Sequence, residues 1–151
     1  MALAIGDPAP VFTLKNQHGE DVSLSSFHGE SAVVLVFFPF AFSGICTGEF
    51  GEIRDKAAEL DGAEMLAVSC DHFFANRAFA DAQGLEFSVL SDFWPHGEVS
   101  RAYGIFNEVV GVAERGTYVI DRQGVVRWKV EHGIGEARDP GAYREALGTL
   151  D

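Results

Sequence analysis

Cysteine is scarce in this chain, with two in 151 residues, at positions 46 and 70. That is too few for a disulfide framework, so the reducing cytoplasm is the expected compartment. Basic residues are also scarce: 11 Lys and Arg stand against 23 Asp and Glu, a formal charge of −12. Sequence-independent nucleic-acid binding needs clustered cations to displace counterions from phosphates, and this composition excludes it. The acidic surface instead favours solubility. No apolar run approaches the roughly 20 residues that cross a bilayer, so no membrane partner is expected. The opening Met1-Ala2-Leu3-Ala4-Ile5-Gly6-Asp7 has neither the basic stretch nor the apolar run of a signal peptide. The five histidines, at 18, 28, 72, 96 and 132, have no compact ligand spacing. A zinc site is therefore not expected, and no cofactor is expected for this chain. Repeats, linkers and low-complexity tracts are absent, and one domain over residues 1–151 is expected to bury about two thirds of its unfolded surface.

What is present centres on Cys46. Ala32-Val33-Val34-Leu35-Val36-Phe37-Phe38 is a continuous, largely β-branched apolar run, the pattern of a strand buried on both faces, and Pro39 ends it. Beyond it, Phe50, Ile53, Ala57 and Leu60 recur at helical spacing with charged residues between them. Ser43 is a natural N-cap for this helix and puts Cys46 at its third position. Unpaired backbone N–H groups and the positive end of the helix dipole favour an anion there. The anion expected is the Cys46 thiolate, although a free cysteine is most often a small buried hydrophobe.

The rest of the chain reads as alternating strands and helices. Val11 to Leu14 and Asp21 to Leu24 flank the turn Asn16-Gln17-His18-Gly19 as an N-terminal hairpin. Met65 to Ser69 is a second buried strand, and 72–83 its crossover helix, with Phe73, Phe74, Ala78 and Phe79 facing inward. Phe87 to Leu90 reads as a short strand and Gly97 to Tyr103 as a short helix. Gly116 to Ile120 and Val125 to Trp128, joined by Asp121-Arg122-Gln123-Gly124, form a second hairpin. Pro140 to Leu150 reads as a closing helix with Pro in its first turn. The expected fold is α/β, a central mixed sheet with helices on both faces and a cysteine just after the first central strand, as in a thioredoxin-like fold.

Pro39, Ser43 and Cys46 together spell Pro-x-x-x-Ser-x-x-Cys, which resembles the active-site signature of the peroxiredoxins. The resemblance extends through Gly6-Asp7-Pro8-Ala9-Pro10-Val11-Phe12-Thr13-Leu14, the segment Leu90-Ser91-Asp92-Phe93-Trp94-Pro95-His96-Gly97, and Arg115-Gly116-Thr117-Tyr118-Val119-Ile120-Asp121. It looks nearest to the alkyl hydroperoxide reductase E type, whose members work with one active cysteine. The resemblance implies the thioredoxin-like fold, reduction of hydrogen peroxide and organic hydroperoxides, and recycling by an external thiol or a thioredoxin- or redoxin-like protein. A homodimer built at the active-site edge follows from the same resemblance.

A free thiol with a pKa near 8.5 is mostly protonated at neutral pH, and lowering it to roughly 6 requires about 3 kcal/mol of thiolate stabilisation. A helix dipole contributes about 0.3–1 kcal/mol, whereas a charged hydrogen bond from an arginine adds roughly 1.5–3 kcal/mol. An arginine partner is therefore expected. Arg115 matches the arginine that peroxiredoxins bring beside their cysteine; a solvated charge at the start of a strand is the lesser alternative. Full ionisation alone raises the rate only about ten- to thirtyfold, and a lower pKa weakens the nucleophile. Donors must therefore meet the negative charge that builds on the departing peroxide oxygen. The Ser43 hydroxyl and the Arg115 guanidinium suit that role. Pro39 would shield the thiolate and fix the loop, or would simply end the strand.

Glu49 follows Cys46 by three residues, where a bare carboxylate would raise the thiol pKa. The resemblance gives it the supporting role of orienting the arginine; a solvent-facing position is the alternative. Arg138 reads as a solvated charge. Attack on ROOH leaves a Cys46 sulfenic acid, which a second thiol must reduce before it is oxidised further. Cys70 matches no usual resolving position, the place five residues after Cys46 being Gly51, and it reads as a structural thiol. A disulfide reductase would need Cys-x-x-Cys, which Cys46-Thr47-Gly48-Glu49 lacks. A cysteine hydrolase would need one of His72, His96 or His132 as base, and nothing local orients one. An interaction module that keeps the motif for stability is the non-enzymatic alternative. Phe38, Phe40, Phe42, Phe93 and Trp94 crowd the motif and the later loop, as core packing, an apolar collar or a dimer contact.

Overall fold

The apolar run at 32–38 becomes the central strand of the molecule. The computed structural model describes residues 3–57 and 63–132. In chain order its elements are β1 (Thr13–Lys15), β2 (Asp21–Ser23), a 3-10 turn (Leu24–Phe27), β3 (Ala32–Phe37), α1 (Gly44–Ala57), β4 (Ala63–Ser69) and α2 (Phe73–Gln83). There follow β5 (Ser88–Ser91), α3 (Glu98–Ala102), β6 (Phe106–Asn107), β7 (Val112–Ala113), β8 (Arg115–Ile120) and β9 (Val126–His132). Seven strands make one sheet in the order β2-β1-β5-β4-β3-β8-β9, and β6 and β7 form a separate ribbon. β3, β4 and β5 run parallel, while β8 joins β3 antiparallel and β1 joins β5 antiparallel. This is the mixed sheet that the strand and helix alternation implies.

All six residues of β3 are buried, and they divide by parity between two cores. Val34 and Val36, with Phe38 beyond the strand, pack with Phe50 and Ile53 of α1 and Phe79 and Ala80 of α2. Val33, Leu35 and Phe37 pack on the other face with Val99 of α3, Tyr103, Ile105 and Tyr118. A strand with apolar residues in every position is what a sheet covered on both faces requires. The helical stripe of α1 is as the spacing predicts for Phe50 and Ile53, and Leu60 lies outside the described residues, as does the expected helix at 140–150.

Several boundaries move, each for a local reason. β1 begins at Thr13 rather than Val11, which stands exposed, and β4 begins at Ala63, two residues before the expected Met65. β9 runs on to His132, past the expected Trp128, because its register with β8 extends to Arg115↔His132. β6 and β7, two residues each, were below what periodicity can signal. The inward face of α2 is the larger correction. Asn76, Phe79 and Ala80 are its buried residues, whereas Phe74 is 69% exposed and Ala78 is also exposed. Asn76 takes the inward place because its side chain is satisfied there: its amide nitrogen donates to the Leu90 carbonyl at 3.3 Å and its oxygen accepts from Ser69 Oγ at 3.1 Å. His72 caps the helix rather than opening it, with Nδ1 accepting from the Phe74 N–H. Gly84 ends it in the left-handed conformation at φ 67°.

α3 is anchored by Asp92, a buried carboxylate that accepts from the Val99 N–H at 3.1 Å and from both the N–H and the hydroxyl of Ser100 at 2.8 Å. Burial holds this carboxyl above the ordinary aspartate range despite those donors. Asp92→Ala leaves three donors without their acceptor, and we expect a loss of about 2–4 kcal/mol in urea denaturation from bonds to a charged group.

Candidate active site

The C-terminal ends of the parallel strands β3, β4 and β5 define one edge of the sheet, and the residues singled out from the sequence gather there. Such an edge, where loops leave parallel strands, is the usual place for a site in an α/β sheet. Pro39 is buried two residues beyond the end of β3, and α1 starts at Gly44. The Ser43 carbonyl accepts from the Thr47 N–H at 2.8 Å, the first bond of the helix. Ser43 is thus the N-cap residue and Cys46 the third helical residue, as the spacing predicts, with Glu49 one turn further on.

Between Pro39 and Ser43 the chain makes a turn that the sequence does not announce. The Ser43 N–H reaches the Phe40 carbonyl at 3.5 Å, and Phe42 adopts φ 69°, the only non-glycine residue with positive φ among those described. Glycine is the ordinary occupant of that place, so a bulky side chain there carries strain of about 1–3 kcal/mol that its surroundings must hold. Two contacts do so. The Phe42 ring stands edge-on to Phe79 of α2 at 5.3 Å, and the Ala41 N–H donates to Asp71 Oδ2 at 2.9 Å.

Arg115 is the first residue of β8, not a charge before it, and is 2% exposed. The reading as a solvated charge is therefore wrong for this residue. Its burial follows from register. Val36 pairs with Thr117 across β3 and β8, so two steps further along both strands Arg115 lies level with Phe38, one residue before Pro39. Parity also fixes its face: Val119 belongs to the core under α1, whereas Tyr118 and Ile120 belong to the opposite core. Arg115 shares the parity of Val119, which is the α1 side. Its neighbour Gly116 is closely packed, since a Cβ would stand 2.9 Å from Ile105 Cδ1 and 3.1 Å from the Tyr118 ring.

Cys70 lies one residue beyond β4, and its Sγ is 3.9 Å from Ser100 Oγ of α3. It faces the side of the sheet opposite α1, 5% exposed, and burial together with the charge of Asp92 pushes its thiol up to about 11. Such a thiol is protonated and unreactive at neutral pH.

Phe38 is wholly buried, while Phe40, Phe42, Phe93 and Trp94 keep exposed surface. Phe93 meets the His72 ring at 5.1 Å, and His72 stacks on Phe74 at 5.0 Å, so these rings line the same edge as the Pro39–Ser43 turn. Among the described residues no group of His, Cys, Asp and Glu side chains converges as a metal site would require, and no helix is long and apolar enough to cross a membrane. An open cavity of about 430 Å³, between the end of α1 and the start of β4, lies at the far end of the sheet from these residues.

Sequence reasoning missed Asp71 and the left-handed Phe42. An acidic residue two places after a buried strand was the available signal for the first; for the second there was none, because phenylalanine is not a turn residue.

Known proteins resemble this chain in sequence and fold. The AhpC/TSA family profile matches residues 5–129. The alkyl hydroperoxide reductase E of Mycobacterium tuberculosis is 45% identical over 150 residues, which is 98% of each chain. A thioredoxin peroxidase of Echinococcus granulosus is 34% identical, over all of this chain and 81% of its own. Among solved structures, Enterococcus faecalis AhpC superposes with a TM-score of 0.87 at 25% identity, covering 98% of this chain and 92% of its own. Peroxidoxin BcpB of M. tuberculosis does so with a TM-score of 0.80 at 27% identity, covering 96% and 94%. With a thioredoxin-like sheet, the Pro-x-x-x-Ser-x-x-Cys turn at its edge and relatives that span its length, the chain belongs to the AhpC/TSA family, the peroxiredoxins, which are thiol-dependent peroxidases.

Proposed function

We propose that Cys46 is the peroxidatic residue of this peroxidase and that Arg115, Ser43 and Pro39 complete its site. The observation that carries the reading is the burial of Arg115 at the α1 side of β8, level with the residue before Pro39. A guanidinium is not buried without anionic or polar partners, and a thiolate in the first turn of α1 is an anion at the right edge of the sheet. The Cys46 thiolate attacks one oxygen of ROOH, the O–O bond breaks, and the departing alkoxide takes a proton to leave as ROH. Sulfur is oxidised to a sulfenic acid by the two electrons the peroxide gains. Donors from Arg115 and Ser43 stabilise the charge on the departing oxygen, Pro39 keeps water from the sulfur, and Glu49 orients Arg115.

An external thiol then condenses with the sulfenic acid, releasing water and leaving a mixed disulfide that a second thiol reduces. The unreactive, oppositely placed Cys70 supports a one-cysteine cycle of this kind, and the name of the E. granulosus relative supports a thioredoxin-like donor. Rings exposed at the site edge support organic hydroperoxides among the substrates and a homodimer formed there. A single cytoplasmic domain without cofactor suits this cycle.

The deciding experiment mixes the pre-reduced protein with hydrogen peroxide or an organic hydroperoxide, follows tryptophan fluorescence, and traps the product for mass spectrometry. One sulfenic acid at Cys46, formed within seconds, is the expected result; a folded sample with no oxidation there ends the proposal. Cys70→Ser should turn over with an external thiol at the wild-type rate, and loss of that turnover would make Cys70 the resolving thiol.

A further inference from the structure

We infer that Asp71 is a positioning residue for the peroxidase reaction, holding the Pro39–Ser43 turn in the one geometry that presents Cys46 at the start of α1. This rests on the reading of Cys46 as the reacting thiol. The turn is the weak point of the site: Phe42 sits at φ 69°, and a chain free to choose would leave that conformation. Backbone pairing across the turn is long, the Ser43 N–H standing 3.5 Å from the Phe40 carbonyl. The Asp71 carboxylate holds the turn from outside, with Oδ2 accepting from the Ala41 N–H at 2.9 Å.

Asp71 is well placed to act as an anchor because its own backbone is fixed by two strands. Its carbonyl accepts from Ser91 Oγ of β5 at 2.6 Å, and its N–H donates to Ser69 Oγ of β4 at 3.3 Å. Ser69 Oγ in turn bonds the buried Asn76 of α2, whose helix also carries the Phe79 ring against Phe42. The loop is thus tied at Ala41 to β4 and β5 through Asp71, and at Phe42 to α2 through Phe79. A small displacement of reacting groups from productive geometry costs rate far more than it costs stability, so the consequence of losing this tie falls on the chemistry.

The test compares Asp71→Ala with Asp71→Asn, whose amide oxygen still accepts from the Ala41 N–H. For each we would measure the second-order rate of Cys46 oxidation by hydrogen peroxide, the thiolate titration by ultraviolet absorbance, and the melting temperature. Asp71→Ala should lose about tenfold or more in rate, the value of one bond to a charged acceptor. Its thiol titration should move upward while melting shifts by only a few degrees, and Asp71→Asn should recover most of the rate. Should Asp71→Ala not fold, Asp71→Ser, polar but too short to reach the Ala41 amide, reads the same loss. Wild-type rate and titration in Asp71→Ala or Asp71→Ser overturn the inference, as does an Asn variant that falls as far as Ala. A wild-type protein in which peroxide leaves Cys46 unoxidised is a different failure, that of the peroxidase reading itself.

Discussion

Cys46→Ser is expected to reduce peroxide consumption to that of buffer, a loss of at least about a thousandfold, with the fold unchanged by circular dichroism. Serine is close to cysteine in volume and keeps a polar atom at the third position of α1, so the variant changes chemistry rather than packing. A hydroxyl with an ordinary high pKa is not ionised at this site and forms no stable product with a peroxide oxygen, whereas a thiolate does both steps. Cys70 cannot substitute, since its thiol, pushed up to about 11 by burial, stays protonated and sits on the other side of the sheet. The wild-type rate should fall as pH is lowered through the Cys46 pKa, because protonation removes the nucleophile, and should be flat above it. Consumption that survives in Cys46→Ser, measured with a peroxide electrode, would move the reaction to another residue.

How far the sequence carries this reading depends on how local each signal is. The 32–38 run and the α1 stripe are patterns within single elements, and the run, with Phe50 and Ile53 of the stripe, is buried as read, since burial on two faces and helical period leave their marks in neighbouring residues. Asn76 shows where that fails. A polar residue in the inward place rotated the apparent face of α2 toward Phe74 and Ala78, and only its partners on β4 and β5, outside the helix itself, reveal why it is buried. Arg115 is the same lesson at the site. Locally it reads as a charge before a strand; the β3–β8 register is what carries it inside, and no local pattern encodes that register. Asp71 lay beyond reach for a similar reason, its partner Ala41 standing thirty residues away. What the sequence did carry was the spacing of Pro39, Ser43 and Cys46, because a strand end, a helix cap and a first-turn position are separated by fixed numbers of residues.

Arg115→Met should lower the second-order rate with hydrogen peroxide by about a hundred- to a thousandfold, the usual cost of removing one donor aimed at developing transition-state charge. Two losses combine in it. On the proposed assignment the thiolate forfeits a charged hydrogen bond, so its pKa should rise and part of the loss should be recovered at higher pH; the remainder, the charge on the departing oxygen, should not be recovered at any pH. A pH–rate profile separates them, because the first moves the midpoint and the second lowers the plateau. Methionine keeps much of the side-chain volume, which matters at a position only 2% exposed, where Ala would add a cavity to the loss of charge. Arg115→Lys keeps the charge without the planar fork, and it should fall between the two, holding the midpoint better than the plateau. Loss of rate in proportion to loss of folded protein, with midpoint and plateau intact in the folded fraction, would reduce Arg115 to a structural residue. A plateau that drops while the fold holds would instead leave the peroxide oxygen as the charge that Arg115 is buried to meet.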